Sequence, residues 1–431
     1  MKEILTQLEK SLPGGMIEAI RMLGELAAAR GEGLYLVGGA VRDLLLGGAA
    51  PDMDLVVEGD AVAFAFSAAQ RLGAKCEAHK TFGTATMELP GIEKGRIDFA
   101  TARTETYKRP GALPNVSPAK TIIEDLSRRD FTINAMAASL VPPDAGKIID
   151  PHGGLEDLEA GILRVLHPGS FTDDPTRILR GLRFRARLGF EFDHETLSLM
   201  GRALSEECFN TVSGARIRKE IRAALEEPCR AAIISELNRL DIAGALVPGL
   251  TFCMALIEPE DRIAAAMTAL AGAPQPLRAQ PWVTYLLAAI VGNDGETLEA
   301  LARRIALSKK EAAPLFDQSA HSQAARAQLE DPHTTPEEFE ELVTAAQDET
   351  LILLHAADED GLIRRRIEEY VLSSRGVRLE ISGADLLSMG HEPSAIFAQV
   401  LREVRRHKIQ GKVKNRKQEL ALARKLLDRW D

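Results

Sequence analysis

The chain changes its hydrophobic rhythm near residue 150. Before that point, apolar residues come in runs of strand length, "LYLVGG", "MDLVVEG", "TATMELP" and "RIDFATAR". Between them lie stretches with helical spacing: residues 15–30 ("GMIEAIRMLGELAAAR"), "AVRDLLLG" and "DAVAFAFSAAQRLGA". This alternation predicts an α/β head. Between Thr101 and Glu124, Pro110, Gly111, Pro114 and Pro118 break any regular element, which predicts a long loop, and helix is expected from Thr132 onward. After "IIDPHGGLEDLEAG" (148–161) the strand signals almost vanish. Apolar residues then recur at three- and four-residue spacing with short polar joints to the C-terminus, so the head is expected to sit on a long helical body.

At 431 residues, 45% of them hydrophobic, the chain is long enough for several domains. No segment approaches the ~18 consecutive apolar residues of a membrane span, and the opening "MKEILTQLEK" is charged where a secretory leader is apolar. A soluble cytoplasmic protein with no membrane partner is expected. Cys76, Cys208, Cys229 and Cys253 are scattered without a Cys-x-x-Cys pair, so neither a zinc site nor a disulfide framework is indicated. The net charge of −10 argues at first against a polyanionic partner. Residues 177–187 ("RILRGLRFRAR") and 402–417 ("REVRRHKIQGKVKNRK") are nevertheless strongly basic, and such patches bind polyanions locally while the acidic remainder limits indiscriminate binding.

In an extended strand, residues two apart share a face, so Asp52 and Asp54 of "DMDLVV" aim two carboxylates at one point. Hard oxygen ligands on a rigid edge suit magnesium, although a lone Asp-x-Asp after Pro51 also fits a solvated turn. Upstream, Gly38-Gly39 joins a strand to a helix, where backbone N–H groups can face phosphates, and Arg42 follows one turn later. Glycine turn and aspartate pair together describe a triphosphate site beside a metal site. Asp98 is the best-placed third carboxylate. In "SRRDFTINAMA", Arg128 can reach triphosphate oxygens, Asp130 and Thr132 can cap a helix, and Asn134 can bond the loop or a ribose. Asp174, Arg177, Arg180 and Arg183 are spaced by three along one predicted helix face. An aspartate one turn before an arginine offers an acceptor beside fixed donors, which fits a nucleobase edge better than a bare phosphate.

Four ordered stretches, "LVGGAVRDLLLG…DMDLVVEGD", "RRDFTINAMA", "DPHGGLEDL…ILRVL" and "DDPTRILRGLRFRARLGF", resemble the successive motifs of the bacterial and eukaryotic class of CCA-adding tRNA nucleotidyltransferases and their poly(A) polymerase relatives. "ISGADLLSMGHEPSAIFAQVLREVRR" also resembles that family's tail. The resemblance implies a nucleotidyltransferase head (1–150) with a mixed, largely antiparallel sheet, then an all-helical neck (151–225), body (226–380) and tail (381–431). It implies two Mg2+ ions at Asp52 and Asp54, with CTP or ATP held by Gly39, Arg42 and Arg128. Asp174 and Arg177 would read the base, with Arg180 and Arg183 in support, and body and tail would grip the tRNA acceptor arm and elbow. Ala215 stands where the family usually carries glutamate, Asp173 replaces a glutamate, and "GHEPSAIFAQ" lacks the family's glycine-rich turn. "AHKTFGTATMELPG" differs from the polyadenylating branch, and the undeleted stretch between Asp98 and Arg128 disfavours an enzyme that adds only CC. Full CCA addition, A addition alone, and a catalytically silent RNA-binding protein on the same scaffold remain open at this level.

Overall fold

The computed structural model describes residues 3–48, 53–79, 83–92, 95–258, 260–321, 328–344, 346–392 and 395–430. The chain divides into two compact units, Met1–Gly249 with Arg303–Ala306, and Leu250–Ala302 with Leu307–Asp431.

The first unit is built on a seven-stranded sheet. Its strands are β1 (Gly33–Val37), β2 (Met53–Glu58), β3 (Lys75–His79), β4 (Thr84–Glu88) and β5 (Arg96–Thr101). A separate two-stranded ribbon, β6 (Arg103–Thr106) with β7 (Asn115–Pro118), precedes the last two sheet strands, β8 (Ala137–Ser139) and β9 (Ile148–Ile149). The sheet order is β3-β4-β5-β2-β1-β8-β9, with β2 parallel to β5 and the other pairs antiparallel, so it is mixed and largely antiparallel. Helix Ala61–Leu72 covers one face. It starts at Asp60, whose carboxylate accepts from Val62 N and Ala63 N, stops at Gly73 in the left-handed region, and lays Phe64 against Phe99 with ring centroids 5.8 Å apart.

Two local expectations change. The proline-broken stretch after Thr101 is partly the β6–β7 ribbon, because its prolines fall outside the β6 segment and at the end of β7, where a missing N–H does least harm. The helix expected from Thr132 is a single 3-10 turn, Thr132–Asn134, followed by β8. "AMAAS" has helical propensity, but Ala137 and Ala138 are fully buried and pair with Val37 and Leu36, so sheet completion overrides it. β3 was not signalled either, since Lys75, Glu77 and His79 alternate with small residues at a sheet edge.

Beyond β9 the first unit is mostly helical, but the neck expected to be all-helical also holds a short parallel pair, β10 (Ile162–Leu163) with β11 (Glu191–Phe192). Its central element, helix Thr176–Leu188, here called the arginine helix, buries Ile178, Leu179, Leu182 and Phe184 and packs on helices Gly214–Glu226 and Arg230–Arg239. Gly181 lets it approach Phe131 and Phe192, for a Cβ there would lie 2.8 Å from the Phe131 ring. The second unit has only helices among its described residues, from Arg262–Leu270 to Arg416–Trp430. Its last two, Ala395–Ile409 and Arg416–Trp430, close over Val400, Val404, Ala423 and Leu427. Among the described residues no helix is long and apolar enough to cross a membrane.

Candidate active site

Three separate segments converge in the first unit on a cavity of about 390 Å³: the Gly38-Gly39 turn, the Arg128–Asn134 segment and the arginine helix. Gly38 has φ 67° and ψ −129°, a conformation that essentially only glycine adopts. A Cβ on it would also fall 2.5 Å from Arg129 Nη1. The turn therefore needs glycine for its backbone and for the guanidinium lying over it.

From this turn a continuous chain of hydrogen bonds crosses the cavity floor. Arg42, almost fully buried, donates from Nε to Asp43 (2.8 Å) and from Nη1 to Asn134 Oδ1 (2.6 Å). Asn134 Nδ2 donates to Asp130 Oδ1 (3.0 Å), and Arg180 donates to Asp130 Oδ2 from Nε (2.9 Å) and Nη2 (2.6 Å). Burial favours the neutral acid at Asp130, yet Arg180 and the Asn134 amide outweigh it and hold the carboxyl below its usual value. Burial likewise pulls the Arg42 pKa below the usual guanidinium value, against the pull of Asp43. Asp130 and Asn134, expected as a cap and a loop or ribose contact, are thus the bridge between glycine turn and arginine helix.

The structure separates the two adjacent arginines. Arg128 donates to Asp125, Glu105 and the Arg103 carbonyl, at 2.9–3.1 Å, so its guanidinium is committed to protein acceptors. Arg129 gives one bond to Asp125 (3.0 Å), keeps Nη1 over the glycine turn, and has a buried Nε without a partner among the described residues. Sequence reasoning named Arg128 and passed over Arg129, since nothing in an Arg-Arg pair says which side chain turns inward.

Asp174 lies before the arginine helix in an extended conformation, not on its face, because Pro175 follows it and the helix begins at Thr176. Its Oδ1 accepts from Thr176 N (3.0 Å) and Oγ1 (2.6 Å), and Arg216 Nη2 reaches the same oxygen at 2.6 Å. Arg216 also donates to the carbonyl of Gly111 in the β6–β7 loop (2.9 Å), a long-range pairing invisible in sequence. Arg177 is buried, with Nη1 on Ser170 Oγ (2.7 Å) and Nη2 on the Arg128 carbonyl (2.7 Å). Arg183 Nη1 donates to Glu220 (3.1 Å). Tyr107 also lines the cavity, its phenol donating to Glu105 (3.1 Å) and its pKa pushed up to about 12 by burial. Altogether the lining holds seven arginines against Glu105, Asp130 and Asp174, a surplus of positive charge with rigid, planar donors.

Asp52 lies outside the described residues. Asp54 is exposed on β2 directly opposite Asp98 on the parallel β5, so the two carboxylates share one face while Met53, Leu55, Ile97 and Phe99 fill the other. Asp98 accepts from Thr86 Oγ1 (2.5 Å) and from Arg96 (3.0 and 3.2 Å). Hard carboxylate oxygens side by side on two central strands, β2 and β5, are the donor chemistry a divalent cation takes.

A model of the poly A polymerase head domain matches residues 34–164. The A-adding tRNA nucleotidyltransferase of Halalkalibacterium halodurans is 31% identical over 99% of this chain and 96% of that protein. The A-adding tRNA nucleotidyltransferase of Geobacter sulfurreducens is 30% identical over 99% of this chain but only 49% of its own length, so the chain spans about half of that relative. Among solved structures, the Thermotoga maritima CCA-adding enzyme complexed with tRNA-CCA aligns with a TM-score of 0.74 and 29% identity, covering 100% of this chain and 99% of that one.

Proposed function

The chain belongs to the tRNA nucleotidyltransferase family, and from that premise we propose that it adds C and A nucleotides to the 3′ end of tRNA from CTP and ATP, releasing pyrophosphate without a nucleic-acid template. The observation that carries the reading is the Arg42–Asn134–Asp130–Arg180 chain of hydrogen bonds. It fixes a phosphate-facing turn and a base-facing helix at one distance from each other, as selecting one base for one reacting phosphate requires.

Enzymes of this family generally use divalent metal ions. Here Asp52 and Asp54, with Asp98, would hold two Mg2+ ions, which when bound supply activation of the 3′-hydroxyl and neutralisation of the departing pyrophosphate. Gly39, Arg42 and Arg129 bind the triphosphate, and Arg128 braces them from behind through Asp125, which it shares with Arg129. Asp174, its Oδ1 fixed by Thr176 and Arg216, presents an acceptor to the base edge, and Arg177 presents donors beside it. Arg180 and Arg183 are held by Asp130 and Glu220, so the reading face stays rigid while bases change. The 226–380 body and 381–431 tail grip the acceptor arm and elbow through shape and backbone contacts.

A second reading, A addition alone, is favoured by the full-length relative, while the retained loop between Asp98 and Arg128 fits both readings. The test is incubation of the purified protein with Mg2+ and tRNA transcripts ending before CCA, before the final A, or lacking a tRNA fold. Incorporation from both CTP and ATP on the first transcript is expected. Incorporation of ATP alone, on the transcript ending in CC, would select the second reading, and no incorporation at all would leave a silent RNA-binding protein.

A further inference from the structure

The cavity face of the arginine helix runs further than its three-residue spacing suggests. At ~100° per residue, positions 177, 180, 184 and 187 fall within about 80° of one another, while 183 lies at the edge of that stripe. From Arg177 to Arg187 the helix rises ~15 Å at ~1.5 Å per residue, comparable with an extended nucleoside triphosphate. If the base end lies at Asp174 and Arg177, the far end of the same ligand lies beside Arg187.

Phe184 organises that far end. The guanidinium carbons of Arg42 and Arg187 each stand 5.3 Å from its ring centroid, with Arg180 at 5.5 Å and Arg183 at 5.8 Å. Phe131 holds the ring edge-on, at 5.9 Å and 88°. Four cations around one ring are drawn to it but repel one another, and three are tied to protein acceptors. Arg42 is tied to Asp43 and Asn134, Arg180 to Asp130 and Arg183 to Glu220. Among the described residues Arg187 has only Glu227 as an acidic partner, at 3.6 Å and beyond hydrogen-bond distance, and its side chain is 37% exposed while lining the cavity. The repulsion is visible at its neighbours, for Arg187 contributes to lowering the pKa of both Arg42 and Arg183 behind the larger effect of burial.

We infer that Arg187 is a phosphate-binding residue of this site, holding with Arg42 across Phe184 the terminal phosphates of the incoming nucleotide and then the released pyrophosphate. The inference rests on the nucleotidyl-transfer reading but is separable from it, because its ligand chemistry can be probed without turnover. Calorimetric titration of the full chain with inorganic tripolyphosphate, in the absence of tRNA, is the primary measurement. Arg187→Gln should weaken tripolyphosphate about tenfold, raise KM for CTP and ATP by the same factor, weaken pyrophosphate inhibition, and leave the ratio of C to A incorporation unchanged. Glu227→Gln, which removes the one carboxylate near Arg187, should tighten tripolyphosphate and keeps the question decidable should Arg187→Gln fail to fold. Unchanged tripolyphosphate affinity in Arg187→Gln, or weaker binding in Glu227→Gln, overturns the inference while wild-type nucleotide addition still upholds the functional reading. A wild type that binds tripolyphosphate through Arg187 but incorporates no nucleotide overturns the functional reading and leaves the phosphate site standing.

Discussion

The two units use arginine in opposite ways. In the second, Arg366 donates to the Leu329, Asp331, Pro332 and Thr334 carbonyls, and Arg405 to Glu340 and to the Val377 and Ser374 carbonyls. These side chains fasten loops to helices, and every acceptor they meet is protein. In the first unit, seven arginines converge on one cavity and most are held by protein acceptors, but Arg187 has Glu227 no nearer than 3.6 Å and Arg129 Nε has no partner among the described residues. The same residue is structural where acceptors are plentiful and a binding group where they run short. A carboxylate shows the contrast from the other side. Glu419 is fully buried in the tail and accepts from Glu380 N (2.7 Å), Ile381 N (3.1 Å) and Lys408 Nζ (2.5 Å), whereas Asp54 is presented outward.

The comparison breaks most visibly at the exposed carboxylate. Asp54→Ala should lower nucleotide incorporation roughly a thousandfold or more while gel-shift affinity for tRNA survives. A residual rate within tenfold of wild type would remove Asp54 from the chemistry. Next comes Glu419→Ala, which strands two backbone N–H groups and a lysine and should cost about 3 kcal/mol of stability. Urea unfolding followed by the buried Trp282 of the same unit would report it, with the head's tripolyphosphate affinity unmoved. Asp130→Asn should raise KM for both nucleotides about tenfold, because it weakens the bridge between Arg180 and Asn134, with the effect read from steady-state kinetics. Arg177→Ala should blur base choice by a similar factor, measured as the ratio of C to A incorporation, and a variant with full selectivity would contradict its reading role.

The smallest effect concerns pH. Burial alone would raise the Asp125 pKa, but Arg129 and Arg128 outweigh it and hold the carboxyl below its usual value, as at Asp130. A depressed carboxyl contributes stability above its unfolded value of about 3.9 and loses it as pH falls through the folded value. Unfolding of the first unit should therefore be insensitive to these groups at pH 5–8, within about the usual titration range, and steepen only in acid. Asp125→Asn should flatten that acid limb, measured by thermal unfolding across a pH series.

Much of this candidate site is legible in the sequence. Glycine turn, strand-borne aspartates and repeated arginines each follow from local chemistry; the sheet sets Asp54 beside Asp98, the carboxylate picked as third member, while the Asp52–Asp54 spacing falls partly outside the described residues. What sequence could not reach was partner choice. Asp125 takes both arginines locally, so whether Arg128 or Arg129 turns to the glycine depends on Glu105 and the Arg103 carbonyl arriving from β6 to hold Arg128. Arg216 meets Asp174 only through the packing of two helical segments, and Pro175 moves Asp174 off the helix whose periodicity seemed to include it. The basic run at 402–417 was similarly opaque. Arg405, Arg406, Lys408 and Arg416 are tied to Glu340, Glu403, Glu419 and Asp385, which leaves Arg402, Lys412, Lys414 and Lys417 as its remaining exposed cations.

The parallel pairing of β2 with β5 carries an error-correcting property. Side chains alternate with a period of two, so a slip of one residue would turn Asp98 into the core and push Ile97 and Phe99 toward water. The sheet cannot misalign Asp54 and Asp98 without first exposing its apolar face, so the alignment of the proposed metal-binding pair is enforced by Met53, Leu55, Ile97 and Phe99 on the opposite face.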